Sequence, residues 1–179
     1  MREMEYRRIS RVLALIIGLL LLSLIANIHL WVSRPKASAH ADMLAEGYAK
    51  DLSGHMNGLA ELLDSAKEED WADANRLWAI SSIIQVTQAR ALSILDLNPL
   101  LHQKIRNEIN KSRLPDLCPD LRQASVEFNN AAANRVKGLP VHTRKLEDFS
   151  AKFKRAKFPN QDRFTWQEFR LAIDRYFGE

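Results

Sequence analysis

"VLALIIGLLLLSLIANIHLWV", residues 12–32, holds 21 consecutive positions without an Asp, Glu, Lys or Arg. Wound as an α-helix, such a run spans roughly 30 Å, which is the thickness of a bilayer's hydrocarbon layer. It predicts a single transmembrane helix. A secretory signal peptide competes for the same residues, because arginines precede the apolar core and Ala37-Ser38-Ala39 or Ala39-His40-Ala41 imitates a small-x-small cleavage site. Three features count against removal. The run is longer than the roughly 7 to 15 residues of a typical signal core, it ends in Trp31, which suits the headgroup boundary, and Arg34-Pro35-Lys36 separates it from the candidate site. Arg7-Arg8 also raises a twin-arginine signal, but Ile9-Ser10-Arg11 lacks the apolar residues expected directly after the pair. The expectation is a retained signal-anchor.

Arg2, Arg7, Arg8 and Arg11 precede the helix, whereas Arg34, Lys36 and Lys50 follow it, and this bias places the N-terminus in the cytoplasm. Asn27 and His29 fall in the last turns before Trp31, where interfacial water reaches a polar side chain. The predicted organisation is therefore a cytoplasmic tail at 1–11, a transmembrane helix at 12–32, a juxtamembrane linker at 33–39 and an extracytoplasmic helical-bundle domain at 40–179. No second apolar span follows, so a signalling role would need a partner to carry the message inward.

The overall basicity, with a pI near 9.3, comes from the charges flanking the apolar run. Residues 37–179 carry 20 Lys plus Arg and 20 Asp plus Glu, which removes the argument for nucleic acid as a partner. Residues 37–100 carry 4 basic and 10 acidic side chains, and residues 101–179 carry 16 and 10. Either the halves neutralise each other by packing, or they present two differently charged faces.

Beyond Lys36 apolar residues recur at helical spacing and no alternating run persists, so the fold class is all-α, with four to five helices after the anchor. Leu44, Tyr48, Leu52, Met56, Leu59 and Leu63 form one stripe over about 39–67. Asp70 is expected to cap a second helix carrying Trp71, Ala74, Trp78, Ile84, Ala91, Leu92 and Leu95. Asn98-Pro99 opens a third, and "SRLPDLCPDL" predicts an extended connection up to Pro119. A fourth helix places Leu121, Ala124, Phe128, Ala131 and Arg135 on one side and ends at Gly138. A fifth starts at Thr143 with Leu146, Phe149, Phe153 and Ala156 inward. Thr165 and Glu168 form a capping box that starts the last helix at Trp166.

Three groups of side chains are candidates for binding. Arg144, Lys145, Lys152, Lys154, Arg155 and Lys157 surround the apolar arc of the fifth helix and suit an acidic protein or anionic lipid, although a solvated face on a core helix has the same pattern. Trp166, Phe169, Ile173, Tyr176 and Phe177 form an aromatic stripe that could dock on a partner or on the bundle itself. Trp71 and Trp78 could line a small-ligand pocket. Glu68, Glu69, Asp70 and Asp73 read as helix capping rather than a cation site. The five histidines show no pair at three or four apart, Cys118 is the lone cysteine and reads as structural, and no nucleophile or phosphate-loop motif is present. Neither an enzyme, a metal site nor a cofactor is expected. The expectation is a membrane-anchored protein acting by protein–protein interaction, such as an accessory or assembly subunit of a membrane complex. A small-ligand-binding, sensor-like bundle and an anionic-lipid-binding domain are the alternatives.

Overall fold

The computed structural model describes the backbone of residues 2–68 and 71–178, with the side chains of 19–28, 33–68 and 71–178. Among these residues there is no strand; six α-helices are joined by short turns. They are α1 (Arg2–Glu68), α2 (Ala74–Leu97), α3 (Gln103–Lys111), α4 (Leu114–Val136), α5 (Thr143–Ala156) and α6 (Trp166–Phe177). The chain divides into two compact units at His40.

In the first unit the described backbone, residues 2–40, is helical, including residues 33–39, where Pro35 lies inside α1. Leu19, Leu20, Leu21, Leu22, Leu24, Ile25 and Ile28 are all between 54% and 66% exposed. Among the described residues no helix is long and apolar enough to cross a membrane. The side chains of 12–18 and 29–32, which complete the predicted span, lie outside the described residues.

The second unit, residues 41–179, is a bundle. Arg76 on α2 donates to Ser65 Oγ on α1 at 2.9 Å, and Arg90 lies 3.5 Å from Asp51, so α1 and α2 run antiparallel. Ser81 on α2 donates to the Ser125 carbonyl on α4 at 2.9 Å, its hydroxyl lies 3.0 Å from that of Ser125, and Gln85 reaches the same hydroxyl at 3.0 Å. Lys145 pairs with Glu127, and Lys152 with Asp120 at 2.7 Å, which sets α5 antiparallel to α4. Lys154 reaches Asp64 at 3.0 Å, and Asn57 holds Phe158 just beyond α5. The four long segments thus close a ring in the order α1, α2, α4, α5. α6 folds back along α5, with Tyr176 edge-on to Phe153 at 5.3 Å and Phe169 against Phe158 at 5.8 Å.

The buried stripe of α1 is the predicted one at Leu52, Met56, Leu59 and Leu63 and departs from it before Leu52. Ala41, Ala45 and Ala49 lead into Leu52, Met56, Leu59, Leu63 and Ala66, while Leu44 is 36% exposed and Tyr48 half-buried. Alternating steps of three and four from Ala49 onward are the spacing of knobs-into-holes packing. Alanines let the neighbouring backbone approach where leucine would hold it away. On α2 the expected Ile84 and Ala91 are buried, together with Leu77, Ile80 and Ile94, while Trp78 and Leu92 lie at the surface.

Helix boundaries also move. Asp73, not Asp70, caps α2, accepting from the Asn75 N–H at 2.9 Å. Asn98-Pro99 forms a 3-10 turn instead of opening α3, which begins at Gln103 after His102. The expected extended connection is helical, because Pro115 falls in the first turn of α4, where no N–H is needed. Pro119 then sits inside α4.

Mid-helix glycines separate into two kinds. A Cβ on Gly54 would lie 2.8 Å from Gln161 Nε2, whereas one on Gly58 would meet nothing within 4 Å. Gly58→Ala should therefore stabilise the bundle by about 0.5–1 kcal/mol through lost chain entropy in the unfolded state. Urea unfolding followed by tryptophan fluorescence checks this, and a destabilised variant would contradict the open geometry at Gly58.

Candidate functional site

The basic residues of the fifth helix do not form one uniform face. Leu146, Phe149, Phe153 and Ala156 are buried as the spacing predicts. Of the cations around them, Lys145 and Lys152 are neutralised by Glu127 and Asp120 of α4, and Lys154 by Asp64 of α1. Lys152 also lies 5.1 Å above the Phe149 ring and 5.6 Å from that of Tyr176. Arg144 remains exposed at the other end of the helix. Arg155 and Lys157 are different: among the described residues neither has a carboxylate partner, and two further cations, Arg163 and Arg175, join them from elsewhere in the chain.

These residues frame two adjoining hollows. The inner one, about 260 Å3, is lined by Lys157, Pro159, Asn160, Arg163, Glu168 and Arg175. The outer one, about 660 Å3 and more open, is lined by Ala151, Lys154, Arg155, Lys157 and Arg175. Lys157 and Arg175 belong to both. Besides the paired Lys154, four cations share these linings with a single described carboxylate, Glu168; clustered cations repel one another, and a bound anion relieves that repulsion.

Local structure places each lining residue. α5 stops at Lys157, whose backbone is left-handed at φ 42° and ψ 71°. Asn57 on α1 fixes the next residue from both sides, donating to the Phe158 carbonyl at 3.1 Å and accepting its N–H at 3.2 Å. A 3-10 turn, Gln161–Arg163, presents Arg163. Thr165 caps α6 by accepting the Glu168 N–H at 3.2 Å, and its hydroxyl donates to the Glu168 carboxylate at 3.0 Å, so that carboxylate is held at the helix start. Gly178, left-handed at φ 89°, ends α6 beside Arg155.

Sequence spacing does not bring Arg163 and Arg175 to this cleft, since they lie in the connection and on the last helix. The folding of α6 back along α5 brings them there. The aromatic stripe itself faces inward. Phe169, Ile173 and Tyr176 are buried in the chain's own core, while Trp166 and Phe177 pack partly against it, with Arg113 4.0 Å over the Phe177 ring. The Tyr176 hydroxyl donates to Asp120 at 2.6 Å, and burial, followed by the Asp120 charge, pushes its pKa well above 10.0.

No family model, curated protein or solved structure matches this chain.

Trp71 and Trp78 do not converge on a pocket. Trp71 is 1% exposed against Phe128, with ring centroids 6.0 Å apart, while Trp78 is 40% exposed at the surface. A shallow apolar hollow of about 310 Å3 instead lies between α1 and α2, where Gly54, Gly58, Leu62, Ile83 and Val86 line it with His55 and Ser82. Cys118 is buried in α4 with its Sγ 3.8 Å from the Leu114 carbonyl. Burial pushes its pKa up to about 11, the opposite of what an activated thiol needs. Among the described residues no group of three His, Cys, Asp or Glu side chains could hold a metal ion; Glu69 and Asp70 lie outside the described residues.

Proposed function

We propose that the chain is a single-pass, membrane-anchored interaction protein, an accessory or assembly subunit of a membrane complex, whose bundle receives an anionic group presented by a partner. The anchor is residues 12–32, with the N-terminus cytoplasmic and residues 40–179 extracytoplasmic. Seven large apolar side chains between Leu19 and Ile28, each more than half exposed, support placing that segment in lipid. The proposal assigns the protein no reaction.

The observation that carries this reading is the contrast among the cations. Lys145, Lys152, Lys154 and Arg170 are each matched to a carboxylate, whereas among the described residues Arg155, Lys157, Arg163 and Arg175 form no ion pair and gather around a single cleft whose lining includes the carboxylate of Glu168. Packing of complementary halves accounts for only part of the charge asymmetry: Lys154 pairs with Asp64 across the halves, but Lys145, Lys152 and Arg170 find partners within residues 101–179.

Affinity recovery of the intact protein from gently solubilised membranes tests the proposal. Wild type should bring down a defined set of partners, and Arg155→Glu with Arg175→Glu should lose them while the variant stays folded by circular dichroism. Protease protection in sealed membranes should show the C-terminal domain on the extracytoplasmic side. An identical partner set from wild type and double variant would remove the cleft from the proposal, and a soluble chain beginning near His40 would remove the anchor.

A further inference from the structure

We infer, building on the binding role just proposed for this cleft, that the anionic group it takes is a phosphoryl group, carried by a phosphorylated small molecule or by a phospholipid headgroup. The inner hollow brings together Lys157, Arg163 and Arg175, and Asn160 adds a neutral amide. Arginine's planar fork satisfies two phosphate oxygens at once, and an ammonium complements it as a point charge. Among the described residues Glu168 is the one carboxylate in that lining, and it is engaged by Thr165 at the start of α6. Asp162, beside Arg163, lines neither hollow. Arg155 extends the same field into the outer hollow, which Lys154, paired with Asp64, also lines. An anion with two charged centres, a diphosphate or a substituted phosphate, would reach from one hollow to the other past Lys157 and Arg175. A concave site this small and this rich in cations suits a compact polyanion better than carboxylates spread over a protein surface.

Lys157 is a second, independent mark. Its left-handed backbone, φ 42° and ψ 71°, is a helix-ending conformation that glycine adopts without strain. Asn57 and the buried Phe158 hold it there. A lysine there bears the strain that glycine would avoid, offset in part by its charge at the helix C-terminus, and it gives the cleft an ammonium shared by both hollows. Backbone strain held in place by its surroundings gathers at ligand sites.

The test uses the full chain in detergent micelles, titrated with inorganic pyrophosphate by calorimetry, with tricarballylate as a carboxylate anion for comparison. Pyrophosphate should bind, and tricarballylate should bind at least about tenfold more weakly. Arg175→Gln and Lys157→Gly should each weaken pyrophosphate by about tenfold, since each removes one charge-assisted contact. Lys145→Gln should leave it unchanged. Lys157→Gly should also raise the unfolding midpoint, an opposition of signs that a merely damaged fold does not produce. Nanodiscs of phosphatidylcholine with and without phosphatidic acid separate the two sources: weakened pyrophosphate binding with phosphatidic acid present identifies a headgroup, and no change identifies a soluble phosphorylated molecule. Equal affinity for tricarballylate, or pyrophosphate binding indifferent to Arg175→Gln and Lys157→Gly, overturns the inference. Partner loss in the charge-reversed protein would then still stand, with acidic side chains as the group bound. Pyrophosphate binding combined with an unchanged partner set would overturn the interaction role instead.

Discussion

Phe128→Ala should destabilise the bundle by about 3–5 kcal/mol, the range for truncating a fully enclosed aromatic side chain. Phe128 is 0% exposed on α4, and its ring meets that of Trp71, which enters the core from the turn before α2. Trp71 is itself left-handed at φ 56°, a conformation a bulky residue adopts only when its surroundings hold it there. Its N–H donates to the Ala66 carbonyl at 2.8 Å, and its carbonyl accepts from Arg135 Nε at 3.0 Å. Without the phenylalanine ring, the indole loses the surface that makes this conformation worthwhile, and a cavity opens between α2 and α4. Against a typical total stability of about 5–15 kcal/mol, that loss is a large share. Urea unfolding of the full chain measures it. A loss below about 1 kcal/mol would mean that Trp71 and Phe128 do not pack as described.

Asp120→Ala should cost about 2–4 kcal/mol, because one carboxylate serves two donors from different helices. Tyr176 on α6 and Lys152 on α5 approach it at 2.6 and 2.7 Å, and its side chain is only 18% exposed. Removing it leaves a buried hydroxyl and a half-buried ammonium unmatched. Tyr176→Phe removes a single hydrogen bond and should cost about 1–2 kcal/mol, and the two substitutions together should cost less than their sum. Tyr176 also gives the bundle an alkaline limit. Its raised pKa means that the folded chain keeps a proton that the unfolded chain releases above pH 10.0. This contribution is therefore complete below that pH and falls as pH rises further. Cys118 acts in the same direction from pH 9.0 up to about 11. Because burial is the first cause of the Tyr176 shift and Asp120 the next, the alkaline sensitivity should diminish but persist in Asp120→Ala. A variant that became insensitive would show Asp120 to be the main cause.

The helical class, the α1–α2 hairpin, the arc of α5 and the capping box of α6 were legible in the sequence, because each rests on local spacing. The faces of α1 and α2 were less so. Large apolar residues attract the eye at Leu44, Tyr48 and Trp78, yet Ala45, Ala49 and Leu77, one position away, are the ones buried there. Small residues give a weak hydrophobic signal and a strong steric one, and only the partner helix reveals the second. Pro115 and Pro119 suggested a break because proline disrupts a helix interior, but Pro115 falls within the first turn. The cleft was half legible. Lys154, Arg155 and Lys157 follow from the sequence, while Arg163 and Arg175 are brought to them by the return of α6, a tertiary event that no local spacing encodes.

The hydroxyls of Ser81 and Ser125, with the amide of Gln85, lie at the seam between α2 and α4. Aliphatic surfaces alone would tolerate a slip of one helical turn, about 5.4 Å, since one layer of methyl groups resembles the next. Such a slip would strand two dry hydroxyls, a penalty that no displaced arrangement of leucines and alanines recovers. A few small polar atoms thereby set the axial alignment of two long rods.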